Sequence, residues 1–184
     1  MAFVKKKLPT GMRGGKPKKK PIIPLWIKAI PESDGHGSGT YQKRLWRLIS
    51  DYVRIRDWYS FDKRCVATGN KIKHWSEGQA GHYKPFTVCW GMYKFDPDNI
   101  HMQSAHSNAW GGADDGYGYG LELQRRYGED YLTLIDEDNL LHKGEQITQT
   151  KVVEMMQDCL RYMAKLQEQP KYYKRAIKLL DHEG

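Results

Sequence analysis

The sequence predicts an α+β domain: a small pair of strands and the helix after them, embedded between N-terminal and C-terminal helices and preceded by a disordered basic tail. Three observations predict it. Two short extended segments, Gly78-Gln79-Ala80-Gly81-His82-Tyr83 and Asp98-Asn99-Ile100-His101-Met102-Gln103, flank a turn-rich spacer, and the second runs into a helix. Apolar residues recur at three-to-four spacing over residues 40–55 and again over 148–169. The charge is gathered at one end of the chain.

Residues 1–20 hold Lys5, Lys6, Lys7, Arg13, Lys16, Lys18, Lys19 and Lys20 and no acid. That leaves 22 Lys and Arg against 22 Asp and Glu, so the whole formal charge of +8 resides in this tail. With Pro9, Gly11, Gly14, Gly15 and Pro17 among them, these residues cannot bury enough apolar surface to offset the entropy of ordering. The bland reading is a solubilising terminus. The reading adopted is an arm that tracks nucleic-acid phosphates and makes binding steeply salt-dependent.

Residues 21–39 read as a linker with an apolar knot (Ile22, Ile23, Leu25, Trp26, Ile27) that packs on the body or on a partner subunit. The body proper is residues 40–184. Tyr41, Leu45, Leu48, Ile49, Tyr52, Val53 and Ile55 mark a helix over 40–60 with Thr40 as N-cap; Arg44, Arg47, Arg54 and Arg56 on its other faces are either solvated or in contact with phosphate. Residues 65–112 read as short strands broken by turns and then a helix. Residues 86–92 are rich in β-formers, Phe95-Asp96-Pro97-Asp98-Asn99 is a turn, and Trp90, Tyr93 and Phe95 are core. Residues 110–120 carry five glycines and read as a surface loop, from which Tyr117 and Tyr119 can approach a substrate and Asp114 and Asp115 can offer oxygens. Over 118–181 the chain reads as helices: 121–127, 131–135, a longer amphipathic one over 148–169 stopped by Pro170, and a basic segment at 171–180. Arg125 and Arg126 are placed for phosphates or for a carboxylate.

The histidines and asparagines of the two strands suit phosphodiester chemistry. An imidazole titrates near neutral pH and can take a proton from an attacking water, a role assigned to His82. A hard divalent cation held by oxygen and imidazole neutralises charge that develops on the phosphate, and His101 and Asn108 are the ligands expected. Asn99, at the turn before the second strand, can fix the base ring or bond backbone, as groups behind a metal site do.

These residues resemble a known family. Cys65 with Gly69, Ala80-Gly81-His82-Tyr83, Asn99-Ile100-His101 with Gln103, Asn108, and Leu123 to Gly128 with its arginines look like the core of the phage NinG (Rap) recombination endonucleases, of the HNH or His-Me finger superfamily. Asn108 is also similar to the metal-binding asparagine of phage endonuclease VII-type resolvases. The resemblance implies a ββα-metal core, one Mg2+ or Mn2+ ion, and cleavage of branched DNA such as Holliday junctions. It also implies a homodimer, since two strands must be cut in concert. Against that pattern, Thr68, Ser104 and Ser107 stand where three of four zinc-binding cysteines belong. Because hydroxyls are poor zinc ligands, no structural zinc is expected, and His106 does not complete a site with Cys65. Gln79 stands where the family has an aspartate, which weakens metal binding unless Glu77 substitutes. The alternative is a non-catalytic DNA-binding protein on a degenerate HNH scaffold; a third reading is a phage RNA-binding or packaging protein worked by its tail.

Composition excludes other classes. A mean hydropathy of −0.78 and the lack of any apolar run near 18 residues argue against a membrane span. Three cysteines, at 65, 89 and 159, do not form a disulfide framework. No signal-peptide pattern opens the chain, and a cytoplasmic address is expected, in the host if the chain is phage-encoded.

Overall fold

A helix of 22 residues, α2 (Gly39–Ser60), is the spine on which the other elements are laid. Ser38 rather than Thr40 is its N-cap, and Gln42 Oε1 accepts from the Ser38 backbone N–H at 2.9 Å, a variant of the capping box. Leu45, Leu48, Ile49, Val53 and Ile55 are fully buried, as the three-to-four spacing predicts. The computed structural model describes residues 22–110 and 113–183, with the backbone only at 110, 113–117 and 183. The expectations for the basic tail and for the side chains of Asp114, Asp115 and Tyr117 lie outside the described residues.

The apolar knot packs on the body, one of the two placements expected for it. It forms a short helix, α1 (Leu25–Ala29), whose Trp26 and Ile27, with the following Ile30, are buried in the main core. Arg44 of α2 reaches across to donate to the carbonyls of Ile27 and Lys28, each at 3.0 Å, and to that of Ile30. A guanidinium thus satisfies carbonyls that a helix C-terminus leaves without partners.

The fold is α+β, mostly helical, with one two-stranded sheet among the described residues. Strands β1 (Gln79–His82) and β2 (Ile100–Gln103) are antiparallel, pairing Gln79 with Gln103, Ala80 with Met102, Gly81 with His101 and His82 with Ile100. Residues 86–92, read as β-forming, are turns leading into a 3₁₀ segment, Gly91–Phe95. They find no free edge at β2, where Met102 is engaged: Val66 N–H donates to its carbonyl at 3.0 Å and its own N–H donates to Asp57 Oδ2 at 2.8 Å.

Helix α3 (Ala105–Trp110) follows β2 directly, with Ser104 Oγ accepting from Ser107 N–H at 3.2 Å as its cap. Helix α4 (Ala113–Tyr127) replaces the expected loop over residues 113–120. Glycine costs a helix about 1 kcal/mol per residue, but here the small residues permit close packing. A Cβ at Gly118 would lie 3.0 Å from the Ala67 carbonyl oxygen and one at Gly120 3.2 Å from Tyr83 Oη, while Tyr119 between them is buried and donates to the Gly81 carbonyl at 2.9 Å.

Helix α5 (Tyr131–Leu141) packs on α4, and α6 (Gln149–Met163) lies along α2, burying Val152, Met156, Cys159, Leu160 and Met163. α6 stops at Met163, short of Pro170, and Gln169 Nε2 closes the turn onto the Leu166 carbonyl at 2.8 Å. The last helix, α7 (Tyr173–Glu183), packs against α1. No helix among the described residues is long and apolar enough to cross a membrane.

Candidate functional site

Paired strands put directly opposite residues on one face and their neighbours on the other. By the observed register Gln79, Gly81, His101 and Gln103 share one face of the ribbon, and Ala80, His82, Ile100 and Met102 the other. Asn108, one turn into α3, lies over the first face, where its Nδ2 donates to Gln79 Oε1 at 2.9 Å. A Cβ on Gly81 would fall 2.5 Å from Asn108 Oδ1 and 2.6 Å from Gln103 Cδ, so only glycine admits this approach. Gly81→Ala is accordingly expected to lift the Asn108 carboxamide off the ribbon and to cost about 1–3 kcal/mol by overpacking, read from the thermal unfolding midpoint.

His82 belongs to the opposite face. Its ring stacks on Trp46 of α2 at 5.2 Å between centroids, with His36 edge-on at 5.1 Å and Phe86 edge-on at 5.6 Å. The imidazole and the carboxamide expected to converge on one point therefore leave the ribbon on different sides. Nε2 lies 2.9 Å from the Lys94 carbonyl, and since that oxygen can only accept, Nε2 carries the proton and Nδ1 the lone pair. Burial brings the imidazole down to about 4, against the pull of the Lys94 carbonyl and with help from His36. The ring is neutral at physiological pH with its tautomer fixed, which is the form a general base requires.

Asn99 takes the backbone role. Fully buried, it accepts from Lys84 N–H at 2.7 Å, returns a bond from Nδ2 to the Lys84 carbonyl at 3.0 Å, and meets Cys89 Sγ at 3.3 Å. Orienting His82 falls instead to the Lys94 carbonyl.

His101 has no exposed surface and both ring nitrogens are engaged, so the ligand role expected for it is replaced by a structural one. Arg56 Nη2 and Asp57 Oδ2 both approach Nδ1, at 3.0 and 3.3 Å, and Nε2 lies 3.1 Å from the Asp98 carbonyl. Burial lowers the His101 pKa, which keeps the ring neutral. Asp57 is also fully buried; burial alone would raise its pKa, but the Arg56 charge, 2.7 Å away, outweighs this and holds the carboxyl well below the usual range. Arg56 further donates to the carbonyls of Pro97 (3.1 Å) and Ile100 (3.0 Å). The arginines of α2 are thus neither a solvated face nor a phosphate comb: Arg54 and Arg47 close on the buried Asp51, and Arg56 bolts α2 to the ribbon.

Of the α4 arginines, Arg125 and Arg126 both pair with Glu122, and Arg126 is buried at 4.0 Å from the Phe61 ring, which leaves only Arg125 facing solvent. A basic surface that sequence reading left unassigned lies elsewhere. Lys28 of α1 and Arg175 and Lys178 of α7 line one groove over Leu25, Ala29 and Leu179, and none of these cations enters an ion pair among the described residues. Its signal was the 171–180 basic segment, uninformative until α1 was known to lie beside it.

Among the described residues no group of three or more His, Cys, Asp and Glu side chains converges as a metal cage. At the ribbon the neutral carboxamides of Gln79 and Asn108 face one another, closed on each other by the bond from Asn108 Nδ2 to Gln79 Oε1. Magnesium commonly retains several waters and takes a few protein ligands together with substrate phosphates. For these two carboxamides to hold such a hydrated ion, Gln79 Oε1 would have to be released from the Asn108 amide, since it already accepts from Nδ2.

The family described as Bacteriophage Lambda NinG protein matches residues 35–175. No curated protein and no solved structure matches the chain.

Proposed function

Because the chain belongs to the bacteriophage lambda NinG family, we propose that it is a divalent-metal-dependent DNA endonuclease of the HNH or His-Me finger type, cutting branched recombination intermediates such as Holliday junctions. What supports this reading is the strand–strand–helix unit in which Asn108 descends onto Gly81; His82, neutral and tautomerically fixed, leaves the ribbon on the other face, so cleavage requires a rearrangement that brings the two together. Asn108 and Gln79 would hold Mg2+ or Mn2+. When bound, that ion supplies charge neutralisation at the phosphate and at the leaving oxygen. His82 accepts the proton of the attacking water at Nδ1, and the Lys94 carbonyl stabilises the ring as it becomes cationic. The α1–α7 groove and the basic tail bind the DNA arms through phosphates. A homodimer with twofold symmetry would present one such site to each of two strands.

The test is incubation of the full chain with a labelled four-way junction and with the matched linear duplex, with Mg2+, with Mn2+ or with a chelator. Metal-dependent cuts near the branch support the reading; no cut under any condition rejects it. A second reading, a non-catalytic junction-binding protein on the same scaffold, is favoured by one observation, the placement of His82 on the face away from Asn108. It gives tight junction binding in a gel and no product.

Gln79 offers a sharper handle. Gln79→Asp places a carboxylate beside Asn108, and a change of ligand environment of this kind shifts metal affinity by about 10–100-fold. The expected result is cleavage that saturates at about tenfold less Mg2+, measured as the metal midpoint of initial rates.

A further inference from the structure

Cys65 meets the hydroxyls of Thr68 and Ser107 and the backbone N–H of Ser104 in this fold, although they lie up to 42 positions apart. The Cys65 thiol has no exposed surface; its Sγ lies 3.4 Å from Ser107 Oγ and accepts from Ser104 N–H at 3.2 Å. Burial would raise the thiol pKa, but the bonds with Ser107, Thr68 and the Ser104 N–H lower it instead. Ser107 Oγ passes the chain on to Gln103 Oε1 at 3.3 Å, on the face that Asn108 covers. The turn that presents Cys65 and Thr68 is closed by backbone bonds, Gly69 N–H to the Cys65 carbonyl at 2.9 Å and Cys65 N–H to the Asn70 carbonyl at 2.9 Å, with Gly69 at φ +71° and Arg64 donating to its carbonyl at 2.9 Å. His106 is exposed and takes no part.

A tetrahedral zinc needs about four N or S ligands at about 2.3 Å, which sets neighbouring sulfurs about 3.8 Å apart. One thiol and three hydroxyls are the wrong chemistry for it, yet the spacing of Cys65 and Ser107 is close to right. We propose that a metal-free, hydrogen-bonded knuckle centred on Cys65 holds β2 and α3 to the turn at residues 65–70, and that these four positions still have the geometry of a zinc site. The thiol acts as hub, accepting from the Ser104 N–H and donating to Ser107 Oγ, whose own proton goes to Gln103 Oε1, so the junction is fastened without a cation; Ser104 Oγ meanwhile caps α3, a task a thiol performs poorly.

The experiment compares the wild-type chain with a Thr68→Cys/Ser104→Cys/Ser107→Cys variant. After purification with zinc and dialysis, the wild type should carry no zinc, and its thermal midpoint should be the same with and without a chelator. The triple variant should bind about one equivalent, give the visible absorption of tetrahedral thiolate cobalt when loaded with Co2+, and lose thermal stability on chelation. Zinc retained stoichiometrically by the wild type, or a folded triple variant that takes none, overturns the proposal. Should the triple variant not fold, Ser107→Cys alone decides the geometry. The 3.4 Å approach brings the new thiol within reach of Cys65, so a disulfide is expected under mild oxidation, read by mass, and its failure to form sinks the arrangement.

Discussion

Replacing His82 with alanine is expected to slow metal-dependent cleavage of a four-way junction by about 10²–10⁴-fold, the usual contribution of a positioned general base, with junction binding retained. The ring is poised for proton transfer in one respect, its neutral Nδ1, and removed from it in another, its place between Trp46, His36 and Phe86. A rate loss at constant affinity assigns chemistry to His82. Equal rates for the two proteins would mean that the ring serves only as packing and that the base lies elsewhere. The pH profile adds an independent check. A base with its pKa brought to about 4 stays unprotonated from neutrality down to about pH 5, so the wild-type rate should not fall through the ordinary histidine range near pH 6.5; the loss from His82 comes only as the pH approaches 4.

The second large effect is on stability. Asp57→Ala is expected to cost about 3–5 kcal/mol, the range for removing one partner of a buried ion pair, because it strands Arg56 and takes the acceptor from Met102 N–H. Asp57→Asn keeps an oxygen for Met102 and should lose less, which separates the charge from the hydrogen bond in chemical denaturation. The sign in pH follows from the same group. Asp57 has a folded pKa depressed below its unfolded value near 4, so its stabilisation is complete above that value and is lost as the pH falls below it. His101, also depressed, adds an earlier decline: below about pH 6.5 the unfolded chain takes up a proton that the folded chain refuses.

The long helices were legible because each has one apolar face, and a face writes its period into the sequence; the two strands were marked instead by their short extended segments around a turn-rich spacer. Leu45, Leu48 and Ile49 repeat at helical spacing, and so do Val152, Met156 and Cys159. What the sequence concealed was contact between distant segments. Trp26 and Ile27 read as a knot packed on the body or on a partner subunit, and nothing local says that the cover will be α7. Gly116, Gly118 and Gly120 argue for a loop on propensity, and the close approach of Ala67 and Tyr83 overrides it. Arg56 looks like a solvated cation until Asp57, Pro97 and Ile100 are seen around it. One misreading was avoidable: strand parity alone sends Gly81 and His82 to opposite faces, so a base at 82 and a ligand seated over 81 do not converge without rearrangement. The tail falls outside what the structure describes, and its part in binding rests on charge alone.

The clasp made by Asn99 has a consequence for how the chain tolerates change. Its carboxamide grips Lys84 at both donor and acceptor, imitating a further rung of the ladder just past the paired strands. The excursion from Pro85 to Asp98 is thereby pinched shut at its neck, whatever its contour. Since widening an already closed loop costs only about 0.6 kcal/mol per doubling of length, its outermost stretch at Thr87 and Val88, both exposed, is a natural place for insertions to accumulate without the ribbon beneath registering them.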